Sequence, residues 1–305
     1  ADATKGWIVT ESGLQSEAPG PAFISASGGN TVATCGDFKI HTFTGPGTFT
    51  VCSAGNAAGS DTVSYIVIAG GGGGGGSASG QGGGGGGAGG FREGLGQNDS
   101  YTGSPLRAAT GVPVTAQPYP ITVGGGGSAD ASGSNSIFST ITSAGGGDGG
   151  PNASPAQGGS GGSGGGPGKA NPLSGGAGNT PPVSPAQGTP GGDNPGNPPE
   201  SSPLVGTGGG GAGNAGRGVI SNTRGGTGGV GVASSITGSS VKYAGGGGGG
   251  GADPGGGGGI NPNTAAGCVP NLCRTAQFGA GSGGITAGGQ GGSGTANTGG
   301  GAGGG

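Results

Sequence analysis

Runs of consecutive glycine set the terms for this chain, among them residues 70–76, 82–87, 124–127, 245–251 and 255–259. No helix or ordinary strand is built from such runs, because glycine has no side chain to bury and loses the most backbone entropy on folding. Glycine makes up 97 of the 305 residues and proline a further 22. Without a G-X-Y period, that composition ordinarily marks low-complexity disorder. The alternative is a packed role in which the backbone itself supplies the contacts, since every buried N–H and C=O needs a partner. Polyglycine can take up a left-handed helix of the polyproline-II type, rising about 3.1 Å per residue, so a seven-residue run spans roughly 22 Å. Such a helix has no internal hydrogen bonds. Its polar groups point sideways, and only glycine lets neighbouring backbones come close. We therefore expect a packed layer or bundle of polyglycine helices rather than a flexible linker.

Conventional core material is scarce, at 28% hydrophobic, 4% aromatic and 7% charged residues. This supports one small β core and essentially no α-helix. The expected class is mainly β with polyglycine-II helices, a small antiparallel core and long surface loops. Thr31-Val-Ala-Thr34, Phe38-Lys-Ile-His-Thr-Phe43 and Thr48-Phe-Thr-Val51 read as strands, the last two joined through Thr44-Gly-Pro-Gly47. Thr62-Val-Ser-Tyr-Ile-Val-Ile-Ala69 is apolar on both faces and reads as a central strand. Pro120-Ile-Thr-Val123, Ser136-Ile-Phe-Ser-Thr-Ile-Thr142 and Val241-Lys-Tyr-Ala244 are further strands, each leading into glycine.

The organisation expected is a connector over 1–29, which holds Trp7, followed by a glycine-rich domain over 30–305. Within it, 30–70 is the β core and 70–147 alternates strands with polyglycine helices. Residues 148–240 read as Pro/Gly-rich loops, with Ser154-Pro-Ala-Gln-Gly158 repeated at Ser184-Pro-Ala-Gln-Gly188. Residues 241–305 return to polyglycine helices with a cysteine turn. Segments 91–120, 148–206 and 260–280 read as surface loops. The chain has no Met and opens on Ala1-Asp2-Ala3 without a basic or apolar leader, which points to the C-terminal part of a longer protein or to a removed signal segment.

Several functions are disfavoured. Nine Lys+Arg and a net charge of −3 give no basic footprint for nucleic acid. No run approaches 18 apolar residues, so no membrane-spanning helix is expected. Matches to G-x-G-x-x-G arise by chance in such a chain and no P-loop follows them. His41 sits in a strand pattern with no nucleophile elbow nearby. Glu93 and Asp99 share a segment but read as solvated loop carboxylates, not a glycosidase pair. We expect no catalytic residue, metal or cofactor.

Four cysteines, Cys35, Cys52, Cys268 and Cys273, suggest two disulfides and an oxidising compartment. Cys268-Val-Pro-Asn-Leu-Cys273 favours a local pair, leaving Cys35 with Cys52; that loop of about 16 residues would contribute on the order of 3 kcal/mol. Free thiols are the plain alternative, and a zinc site fits the spacing poorly. The better functional signal is aromatic and Arg side chains in the expected loops, the types that anchor interfaces. Phe91, Arg92, Tyr101, Leu106 and Arg107 form the first group of candidates, and Arg274 with Phe278 the second; edge covers for the glycine layer are the bland reading.

The order Phe38-Lys-Ile-His-Thr-Phe-Thr44, Gly47-Thr-Phe-Thr-Val51 and Tyr65-Ile-Val-Ile-Ala-Gly70 before oligoglycine resembles the glycine-rich domain of tailed-bacteriophage tail fibres and related virion proteins. Gly87-Ala-Gly-Gly-Phe91-Arg92-Glu93, Tyr119-Pro-Ile-Thr-Val-Gly124 and Gly133-Ser-Asn-Ser-Ile-Phe138 are similar to that pattern too. The resemblance covers about 30–150 and part of 240–305; the cysteines and residues 150–240 have no counterpart in it. It implies an extracellular, virion-surface adhesin with loops that recognise a host-surface protein or glycan. It also implies contact with other virion or filament subunits, a homotrimer being one arrangement. A purely structural filament or capsid-decorating protein is the main rival. An ice-binding protein is another, although no sustained G-x-x triplet is present.

Overall fold

The computed structural model describes residues 20–77, 81–153, 156–169, 172–195, 205–219, 224–251, 278–284 and 290–305. They are mainly β, with small and mostly antiparallel sheets and no helix among the described residues. The expected connector over 1–29 falls largely outside them.

A five-stranded antiparallel sheet forms the outer layer. It is built from β1 (Ser25–Ser27), β4 (Gly47–Ser53), β10 (Pro118–Thr122), β11 (Ser136–Phe138) and β12 (Ile141–Ser143), in the order β1-β4-β10-β11-β12. Beside it β2 (Thr31–Cys35) and β3 (Phe38–Thr42) pair as a hairpin, and β5 (Thr62–Val63) pairs with β9 (Val112–Pro113). Beneath the outer sheet lie β6 (Tyr65–Ile68), β7 (Phe91–Gly94) and β8 (Arg107–Ala108), and further along β13 (Val232–Ser234) pairs with β14 (Val241–Tyr243). Alternation does what the sequence implied. Phe49, Val51, Tyr119 and Phe138 point inward and meet Tyr65, Val67, Val112 and Val114 in one apolar cluster. Phe138 is its hub, edge-on to Phe49, Tyr65 and Tyr119 at ring-centre distances of 6.0, 6.5 and 6.1 Å. The Ser143 hydroxyl donates to the Val67 carbonyl at 2.7 Å and ties the two layers together.

Two expected strands are subdivided. Thr62–Ala69 splits into β5 and β6, and 136–142 is a tight hairpin in which Ser139 turns the chain with a φ of 53°. The segment 91–120 is not a loop: Phe91 starts a strand paired with β6, Ile68 opposite Phe91 and Tyr65 opposite Gly94. The chain therefore returns into the fold here.

The glycine runs leave the β region side by side, and their hydrogen bonds repeat every three residues. The carbonyls of Gly70, Gly73 and Gly76 accept from the amides of Gly146, Gly149 and Asn152. Those of Gly71 and Gly74 accept from Gly127 and Asp130, and those of Gly72 and Gly75 from Ala302 and Gly305. The run at 82–90 is enclosed. Its amides donate to three segments: Gly83, Gly86 and Gly89 to Gly305, Ala302 and Gly299; Gly84, Gly87 and Gly90 to Gly150, Gly147 and Ala144; Gly85 and Ala88 to Thr207 and Gly210. Its carbonyls accept from three others: Gly84 and Gly87 from Gly75 and Gly72, Gly83 and Gly86 from Gly250 and Gly247, Gly85 and Ala88 from Gly166 and Ser163. Most of these bonds are 2.8–2.9 Å long, within the normal range.

Why glycine is needed follows from the same geometry. Positive φ is not the reason, since no residue of 70–76 or 82–90 has one. A Cβ on Gly85 would run into the Gly247 carbonyl oxygen, one on Gly72 into that of Gly147 and one on Gly86 into that of Gly72. The obstacle in each case is backbone, which cannot swing aside. Alanine enters where the runs meet the β layers: Ala88, Ala212 and Ala244 pack with Phe91 and Val232 in a second small cluster.

The described residues within 148–206 therefore correct the sequence expectation of surface loops. Gly165 donates to Gly159, Gly166 to Gly85 and Gly191 to Gly176, and residues 161–168 and 205–212 are buried. These glycine-poorer segments are bundle members: some of their side chains, such as Ser160 and Pro190, are exposed, while Ser163, Pro167 and Thr207 are enclosed. The buried Gln187 takes the place of a further neighbour: its side chain accepts from the Ala144 amide at 2.8 Å and donates to the Pro181 carbonyl at 2.9 Å, and its own carbonyl receives the Phe91 amide. The disulfide expectation for Cys35 and Cys52 is also corrected, as both are exposed free thiols. Cys35 lies on the projecting β2–β3 hairpin and Cys52 on the outer sheet, so no shared site brings them together. Cys268 and Cys273 lie outside the described residues.

Candidate functional site

The first group of candidates gathers where β7, β8 and β13 meet. Local sequence sets this up: Phe91-Arg-Glu-Gly94 alternates as a strand, so Phe91 and Glu93 face inward and Arg92 outward. Phe91 is 1% exposed, 6.1 Å from the Tyr243 ring, and is a core residue rather than a binding residue. Arg92 is half-buried opposite Val67.

Glu93 is 1% exposed, which overturns its reading as a solvated loop carboxylate. Its Oε2 accepts the Ser104 amide at 2.8 Å and its Oε1 accepts the Ser234 hydroxyl at 2.6 Å. A buried carboxylate demands such donors, because its desolvation is otherwise costly. Next to this bond, Thr102 and Ser235 exchange backbone contacts: the Ser235 amide donates to the Thr102 carbonyl and the Thr102 amide to the Ser235 hydroxyl, both at 2.9 Å. Glu93 thus staples the 101–107 segment to a strand about 140 residues further on. Nothing in the sequence marked Ser234 as its partner, and only the scarcity of carboxylates hinted at Glu93.

Tyr101 and Arg107 do come together. The Arg107 guanidinium sits 5.6 Å from the Tyr101 ring centre and donates to the Tyr101 carbonyl at 3.1 Å. The Tyr101 hydroxyl donates to the Gly94 carbonyl at 3.2 Å. Burial, reinforced by the Glu93 charge, pushes the Tyr101 phenol well above its ordinary range. Leu106 is half-buried against the second apolar cluster. The Tyr101 and Arg107 polar groups are engaged inside the fold, and both residues remain partly exposed. At 97–100 the segment is tied down as well: Asp99 accepts from the Ser64 hydroxyl, and the Asn98 side-chain Nδ2 donates to the Gly59 carbonyl.

Of the second group, Phe278 is half-buried at a φ of 57°, with the Lys242 ammonium 5.1 Å above its ring. Arg274 lies outside the described residues.

The His41 Nδ1–H donates to the Gly28 carbonyl, 2.7 Å away, and the ring stands edge-on to Phe49 at 5.2 Å, a packing role. Among the described residues, no three His, Cys, Asp or Glu side chains cluster as a metal ion would require. No described helix is long and apolar enough to cross a membrane. No protein-family model matches the chain, and no significant similarity to a curated protein or a solved structure is found.

Proposed function

We propose that this chain is an extracellular virion structural protein, a tail-fibre or appendage domain, that binds a host-cell surface receptor through loops on a polyglycine-II scaffold. The observation that carries the scaffold half is the three-residue repeat of hydrogen bonds around residues 82–90. A repeat of three with sideways bonding is what packed polyproline-II-type helices require, whereas pleated strands repeat every two residues. The carbonyl neighbours that exclude any Cβ argue the same way. Such a bundle holds its connecting segments without a large apolar core, and rigid scaffolds commonly carry binding residues on their loops. Receptor contact then falls to the partly exposed Tyr101 and Arg107, with Arg92 and Leu106 of the same group, Phe91 beneath as support, and Phe278 as a separate candidate.

The test is adsorption of the labelled chain to a panel of bacterial envelopes, before and after exchange of residues 97–103 for an unrelated segment of equal length. Loss of adsorption with an unchanged circular-dichroism spectrum is expected. Unchanged adsorption by a folded exchange variant would sink the receptor reading and leave the scaffold reading intact. A second reading, a purely structural filament or decoration subunit, is favoured by one observation: Tyr101 and Arg107 spend their polar atoms inside the fold. Filament formation by the isolated chain would select it.

A further inference from the structure

Arg107 is fixed in place without an acidic partner. Its guanidinium lies 5.6 Å from the Tyr101 ring centre, and its Nη1 donates to the Tyr101 carbonyl at 3.1 Å. Gly103 lies against its stem. A Cβ there would strike the Arg107 Cδ and come within 2.9 Å of Nη1 and 3.0 Å of Nε. Gly103 has no positive φ that would itself call for glycine. The missing side chain therefore serves to let Arg107 lie against the Gly103 backbone and the Tyr101 ring at once.

No ion pair offsets the charge of Arg107 among the described residues. Glu93 stands opposite it on the paired strand, but its two oxygens are taken by the Ser104 amide and the Ser234 hydroxyl, and it is 1% exposed. Asp99 is turned onto the Ser64 hydroxyl. The bond to Tyr101 is the only hydrogen bond the guanidinium makes among the described residues. A guanidinium carries a rigid fork of N–H donors, so most of the fork is left over on a half-buried residue. A partly desolvated, unpaired cation is costly unless a group outside the chain supplies the counter-charge. The residues beside it are polar and uncharged, with Ser100 and Thr102 exposed.

We infer that Arg107 receives an oxyanion carried on a sugar chain, the carboxylate or phosphate of an acidic cell-surface polysaccharide. This rests on the host-surface reading above and names the chemistry of its ligand. The free part of the fork matches two oxygens of one carboxylate or phosphate. Stacking on Tyr101 and the bond to its carbonyl fix the guanidinium before the ligand arrives, which lowers the ordering cost of binding. The partly exposed Tyr101 ring can cover the apolar face of a sugar, and Ser100 and Thr102 bring hydroxyls for its own. A free anion would use neither.

Calorimetric titration of the full chain provides the test, with three probes: a glucuronic-acid oligosaccharide, its carboxyl-reduced neutral counterpart, and a sugar-phosphate oligomer of equal length. Binding of at least one acidic probe is expected, at least about tenfold tighter than the neutral one; the tighter of the two acidic probes identifies the source of the oxyanion. Arg107→Gln should weaken it by about tenfold or more. Gly103→Ala keeps the charge but displaces the Arg107 stem, and should also weaken it, so the reading stands even if Arg107→Gln fails to fold. Lys39→Gln removes an equal charge from the exposed β3 strand and should change nothing. Equal binding of the neutral probe, no binding of either acidic probe, or wild-type binding by the folded Arg107 and Gly103 variants overturns the inference. If envelope adsorption is still lost when residues 97–103 are exchanged, those outcomes leave the receptor reading standing. Acidic-probe binding without any envelope adsorption sinks the receptor reading instead.

Discussion

The two halves of this molecule are stabilised by opposite means. In the β region, Phe138 gathers Phe49, Tyr65 and Tyr119 around itself, and burial of side chains does the work. In the glycine bundle few side chains are buried, Gln187, Val205 and Thr207 among them. Each residue offers one amide and one carbonyl, each bond contributes only about 0.5–1.5 kcal/mol net, and ordering glycine costs more entropy than ordering any other residue. The bundle holds because its bonds run to many neighbours at once, so no run orders alone. A β core tolerates a smaller side chain at the cost of a cavity; the bundle tolerates no larger one, since the obstacle is another backbone.

The sharpest way to break that contrast is Gly85→Val. Its side chain would overlap the Gly247 carbonyl at the centre of the bundle, and we expect a loss above about 3 kcal/mol, read as failure to fold or a collapse of Tm. Gly45→Ala, which meets nothing within 4 Å in the β3–β4 turn, should be neutral to within about 0.5 kcal/mol. Equal tolerance at both positions would return the runs to a linker role. Phe138→Ala comes next, at about 3–5 kcal/mol by denaturant unfolding. It should unfold the β region, and a two-step transition that spares the bundle would show that the halves are separable.

Alkali gives a smaller, graded effect. Tyr101, Tyr65 and Tyr243 all have phenols held above their ordinary value, in each case chiefly by burial. A raised folded-state value means that the stability these groups contribute is complete below about pH 10 and is lost as pH rises beyond it. Tyr101→Phe should flatten this alkaline decline; an unchanged pH profile would mean the phenol is not buried as described. Least of all, Cys35→Ser with Cys52→Ser should shift unfolding by no more than about 0.5 kcal/mol, because the thiols are free and exposed. A loss of about 2–4 kcal/mol would indicate the disulfide that the structure does not contain.

Much of the β region was legible in the sequence. Phe38–Thr42, Gly47–Ser53 and Val241–Tyr243 fall within a residue or two of where alternation put them, and glycine follows Ala69, Val123 and Ala244 as expected. The candidate site was less legible. Tyr101 and Arg107, six residues apart, do meet, but Phe91 and Glu93 are buried because β6 and β13 cover them, and those strands are distant in sequence. The 148–206 segment failed for a related reason. Its Pro, Asn and Ser residues carry the local signature of loops, and the burial of Ser163, Pro167 and Asn194 in the bundle appears only once the neighbours are in place.

Taken alone, the sequence determined that side-chain burial would be limited in extent and that much of the order must come from the backbone, because composition leaves few other contacts. The tertiary structure decided which runs are neighbours and which of them is enclosed. One glycine run is locally the same as another, with no side chains to encode a partner or a register. Those choices are made only when the flanking strands fix where each run starts and in which direction it travels.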